Sequence, residues 1–139
     1  SEVYREVLLE FVEKTGAPMK SSHRALMDRL GEFPALIFAC KEGAPEQGFA
    51  SQAAYFGSIL PAAWSLMIAL RAKNIGATWT TLLTVRHQSV SEILGMPSSA
   101  RQLVMLPIGY THKVVLKKAD RKDASEVTFL NEWGNRFTR

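Results

Sequence analysis

The densest charge in the chain lies in one ten-residue stretch. Lys113, Lys117, Lys118, Arg121 and Lys122 stand there against a single anion, Asp120. A phosphate monoester is held by an Arg fork with Lys support, so this stretch as a whole is a candidate anion site. A solvated basic loop has the same composition. Trp64 and Trp79 offer flat faces for stacking, or for ordinary core packing. His23, His87 and His112 are far apart and lack metal-ligand spacing, so no metal is expected. Cys40 closes an apolar run and reads as a buried, inert thiol. Ser58 and Ser65 sit in no G-x-S-x-G elbow, so a hydrolase triad has no support. No set of side chains stands out for nucleophilic or acid–base catalysis.

The elements that must hold these residues follow from periodicity. Val3, Val7, Leu8, Phe11 and Val12 recur at helical spacing until Gly16 and Pro18 stop the run. Ser21 and Ser22 open a second short helix that Gly31 closes. Residues 34–40 form a short apolar run between turn signals and read as a buried strand. Residues 41–58, rich in Gly, Pro, Gln and Ser, read as a long loop. Residues 59–73 form the most apolar helix, with Pro61 in its first turn and apolar residues around much of its circumference. Residues 77–85, rich in Thr and Trp, predict a second strand. Residues 89–94 predict a short helix and residues 102–108 a third buried strand, with Gly109 and Tyr110 turning the chain out of it. Residues 126–133 are amphipathic, helical or extended. The alternation points to one layered domain of α/β or α+β class.

Composition sets the outer bounds. The chain has 139 residues, 47% hydrophobic and 22% charged, which is the ordinary mix of a globular domain. The longest apolar-rich stretch, residues 55–70, is interrupted by Gly57, Ser58, Pro61 and Ser65, so no membrane partner is expected. One cysteine cannot form an internal disulfide and suits a reducing compartment, here taken as the cytoplasm. The net charge is +4 and mostly scattered. That suits an anionic small ligand better than nucleic acid, although a basic module built on residues 113–122 is a rival reading. The N-terminus is charged and helical in pattern and resembles no signal peptide.

Residues 57–82, GSILPAAWSLMIALRAKNIGATWTTL, resemble the core of the FMN-dependent nitroreductase family, in which a long buried helix runs through a "G-L-G-S/T" turn into a strand. Ile93-Leu-Gly-Met-Pro97 is similar to the family's "L-L-G-I-P", and Leu106-Pro-Ile-Gly-Tyr110 to its "L-P-V-G-Y-P". Arg121-Lys122, then Glu126-Val127 and Trp133-Gly134, resemble its basic pair and tail. The matches run in order from about residue 33 to the end, and four in register are fairly specific. The family's Arg-rich N-terminal flavin-phosphate segment has no counterpart, and its Gln-Asn pair on the long helix is Trp64-Ser65 here.

The resemblance implies an α+β sandwich, with a central, mainly antiparallel sheet flanked by helices. It implies one domain over residues 1–139 lacking the N-terminal segment, and a homodimer with FMN at the subunit interface. The activity implied is an NAD(P)H oxidoreductase that passes a hydride through flavin N5 to a small aromatic, nitroaromatic or quinone acceptor. Thr80, Thr81 and Leu82 would bring backbone N–H groups to the flavin ring. Pro61, Ala62 and Ala63 would form a turn that approaches it closely. Lys118, Arg121 and Lys122 would hold its phosphate, and Tyr55, Phe56 and Trp64 would shape the substrate pocket. A non-catalytic flavin-binding or dimeric scaffold of the same fold is the alternative.

Overall fold

The computed structural model describes residues 1–111 and 118–136; His112, Lys113 and Lys117 lie outside the described residues. The N-terminal periodicity forms α1 (Glu2–Thr15), which buries Tyr4, Val7 and Leu8 on one face. Gly16 ends it in the left-handed conformation and returns its N–H to the Val12 carbonyl. Then α2 (Ser21–Arg29) runs into a 3-10 turn at Leu30–Glu32, which contains Gly31. The exposed pair Arg5–Asp28 joins α1 to α2.

The predicted strand at 34–40 is β1 (Ala35–Glu42). The third predicted strand is longer than its apolar run: β3 (Ala100–Tyr110) keeps Tyr110 inside the ladder, opposite Ile75. The second strand shrinks to β2 (Ile75–Ala77). Both edges pair antiparallel with β3, in the order β1-β3-β2. A central strand is covered on both faces, and Val104, Met105 and Leu106 are accordingly inaccessible. Side chains alternate across it. Met105 and its partner Phe38 pack with Tyr4, Leu8, Leu26, Leu83 and Val90, beneath α1, α2 and α4 (His87–Leu94). Val104 and Leu106, opposite Ala39 and Ile37, pack beneath α3 (Phe49–Ala72). Burying each of these aliphatic side chains contributes about 1.5–3 kcal/mol. The register slips between Ala39 and Cys40, so Leu103 is an extra residue on β3. Cys40 is exposed on the edge strand beyond that bulge, not buried as its apolar neighbours suggested. These layers are the α+β sheet-and-helix arrangement expected.

The long helix departs most from expectation. It begins at Phe49, so only residues 43–48 remain of the predicted 41–58 loop. Gly48 precedes it with φ 115, a conformation that favours glycine, and its carbonyl accepts the Gln52 N–H. Ala50, Ala53 and Ala54 then favour the helix that Gly57 and the polar residues had masked. With 24 residues, α3 is by length and composition long and apolar enough to cross a membrane, unlike the 55–70 run taken alone. One face packs on the sheet through Tyr55, Ile59, Leu60, Ala63 and Met67. The other is exposed, with Trp64 at 58% and Ile68 at 57% accessibility. The helix is therefore covered on one side by this chain, rather than buried on several. Near the C-terminus, a capping box between Asp123 and Glu126 starts the single turn α5 (Ala124–Val127). Beyond it, Phe129 bridges to Arg136 and packs on the Trp133 ring.

Candidate functional site

The segment 78–82 leaves β2 but stays on β3. Thr78 donates to the Pro107 carbonyl, and Thr80 exchanges both of its backbone bonds with Met105. It does not continue as the strand predicted through Val85. The Thr80 hydroxyl accepts the Leu82 N–H, and the N–H and hydroxyl of Thr84 both bond to the Thr81 carbonyl. These local bonds compete with the ladder and wind Leu82–Arg86 into a 3-10 turn. The N–H groups of Thr80 and Leu82 are satisfied. That of Thr81 is bonded to no described residue.

Two clefts meet at Thr81. The first, about 350 Å³, lies between this segment and helices α1 and α2, and Thr80, Thr81 and Leu82 all line it. Tyr4, Leu8, Phe11, Leu26 and Trp79 make it largely apolar and aromatic. His23 also lines it, and its buried Nδ1 has no partner among the described residues. Burial raises the Tyr4 phenol above its ordinary pKa, an effect partly offset by Thr80 beside it.

The second cleft, about 440 Å³, lies on the α3 side and shares Thr81 with the first. Phe56, Leu60, Pro45 and Leu103 form apolar walls, and Thr84, His87, Arg101 and Gln102 bring polar groups. Arg101 lies 3.1 Å from His87 Nε2 and donates to the carbonyls of Ser98 and Ala100. His87 Nε2 must accept this bond, which calls for a neutral ring. Burial and then the Arg101 charge both lower the His87 pKa. Tyr55 itself does not line this cleft. Its buried ring packs edge-on against Phe56, 5.4 Å between centroids, and its hydroxyl donates to the Gly43 carbonyl at the head of the loop that carries Pro45. Burial raises the Tyr55 pKa, with Arg101 opposing.

Thr80, Thr81 and Leu82 thus share one cleft, and Thr81 meets Phe56 in the other. Pro61, Ala62 and Ala63 do not form a turn. They lie in the middle of α3, where the backbone is engaged in the helix, Pro61 removes one helical bond, and only Ala63 is buried. Trp64 is on the outer face of α3 and lines neither cleft. Lys118, Arg121 and Lys122 are exposed, and no described residue is hydrogen-bonded or ion-paired to them. Sequence reasoning missed Tyr4, His23, His87, Arg101 and Gln102. Gln102 carried a signal, a polar residue at the head of an otherwise apolar strand run. The others became neighbours only through the fold.

Solved structures with a clear likeness to this chain include the following two. One is a nitroreductase-like family protein from Bacillus cereus, with TM-score 0.59 and 16% identity over 94% of this chain and 68% of that one. The other is a BluB-like flavoprotein from Clostridium difficile 630, with TM-score 0.62 and 12% identity over 94% of this chain and 72% of that one. At such identities the likeness is one of fold, a nitroreductase-like α+β fold. No match is found among curated proteins. The sequence itself matches the model of the Nitroreductase family over residues 2–110, which supports oxidoreductase chemistry. On that match and that fold, the chain belongs to the nitroreductase family.

Proposed function

We propose that this chain is a flavin-dependent NAD(P)H oxidoreductase that holds FMN against residues 80–82 and reduces small aromatic, nitroaromatic or quinone acceptors. The observation that carries the reading is the unbonded Thr81 N–H, placed between an aromatic cleft and an apolar one. The residues present fit a flavin ring. Tyr4, Phe11 and Trp79 supply flat apolar cover, and the orphaned His23 Nδ1 and the Thr81 N–H supply polar contacts for a heteroaromatic edge. When bound, the flavin supplies hydride transfer between a nicotinamide nucleotide and the second substrate. The part of Thr81 is to present a fixed donor to an electron-rich ring, and that of the apolar walls is to exclude water. Phe56 faces the acceptor. Lys118, Arg121 and Lys122 serve the phosphate.

The protein acts as a homodimer. The outer face of α3, with the exposed residues Pro61, Trp64 and Ile68 at helical spacing, is an apolar surface that a second copy of the same helix would cover. The family resemblance implies FMN at the subunit interface, with contacts from both subunits. The single cysteine suits a reducing compartment such as the cytoplasm. The test is oxidation of NADH or NADPH by the FMN-supplied protein with menadione as acceptor. Turnover that requires flavin, protein and quinone together supports the proposal. A folded protein giving no turnover with either nucleotide overturns it in favour of a non-catalytic scaffold.

A further inference from the structure

We infer that the second cleft recognises a carboxylate carried on a small aromatic or apolar body. In a regular strand, neighbouring residues face opposite sides. Here the bulge at Leu103 lets Arg101, Gln102 and Leu103 all line one cleft. Gln102 is 2% accessible, and its Nε2 has no partner among the described residues, an arrangement costly to keep unless a ligand completes it. Arg101 stands beside it with no described carboxylate within ion-pair distance. Its donated bonds all come from one terminal nitrogen, Nη1, and go to His87 and to backbone carbonyls, neutral acceptors that leave its charge without a counter-ion among the described residues. A guanidinium and an amide donor at one end of a cleft walled by Phe56, Leu60 and Leu103 match a carboxylate head on an apolar body. The inference rests on the proposed function only in taking this ligand for the electron acceptor; the binding itself needs no flavin.

Calorimetric titration of the intact chain with phenylacetate and with its uncharged counterpart 2-phenylethanol, without NAD(P)H, therefore tests it separately from turnover. Phenylacetate is expected to bind about tenfold or more tightly than 2-phenylethanol, the worth of a hydrogen bond to a charged group. Arg101→Gln and Gln102→Leu should each weaken phenylacetate by a similar factor while leaving 2-phenylethanol unchanged. Equal affinity for the two probes on the unaltered protein, or no binding of phenylacetate at millimolar concentration, overturns the inference whether or not the variants fold.

Discussion

The two clefts share Thr81, but only the second is lined by the central strand, and they are built in different ways. The first is assembled from helices of the N-terminal third around an open backbone donor, and its unpartnered polar groups among the described residues are one histidine nitrogen and one main-chain N–H. The second is built on a strand irregularity, and its polar content is side-chain charge and amide. A main-chain donor reads a neutral or delocalised edge and is indifferent to the Thr81 side chain. A guanidinium reads a full negative charge, and one substitution removes it. The contrast suits a division of labour between a resident ring and a transient charged substrate.

The frame common to both is the place to break them together. Leu106→Ala removes a fully buried side chain from the central strand and should cost about 2–5 kcal/mol in denaturant unfolding. An unchanged midpoint would show that the sheet core does not carry the fold. Trp64→Glu should instead separate the clefts. On the exposed face of α3 it leaves the chain folded but weakens self-association by about 2 kcal/mol or more, read by sedimentation. Flavin retention should fall with it, while phenylacetate binding stays.

A sharper separation is a crossed pair of variants. Phe11→Ala should weaken FMN roughly threefold to tenfold, the worth of an aromatic contact, and leave phenylacetate alone. Arg101→Gln should do the reverse. Both ligands responding to either change would mean one site rather than two. The smallest effect concerns His87. Its pKa is lowered in the folded chain, so the unfolded chain takes up a proton at higher pH than the folded one. The stabilisation from neutral His87 is present above about pH 6.5 and is lost as pH falls from there toward the lowered folded value. His87→Gln should flatten that part of the stability–pH curve measured by denaturant titration. An identical curve would remove His87 from the account.

Much of this frame can be read from the sequence. Helix α1 with its stop at Gly16, and strands β1 and β3, follow from local patterns strong enough to survive tertiary context. The family register follows from motifs along residues 57–110. Two elements depart from their local patterns for physical reasons. Small and polar residues before Ile59 hide a helix that Gly48 starts eleven positions earlier. The threonines of 80–84 favour a strand by propensity, but Thr80 and Thr84 spend their hydroxyls on local backbone bonds. The clefts are harder still. Phe56, Thr81 and Arg101 come from three separate segments, and no spacing rule announces a bulge at Leu103 or an unpartnered Gln102.

The central claim is that this chain holds a flavin beside Thr81. The direct test is to mix the purified protein with excess FMN, remove unbound flavin by desalting, and record the visible absorbance spectrum. Equimolar retained flavin with a band shape altered from that of free FMN is the predicted result. A folded protein that emerges colourless would contradict it.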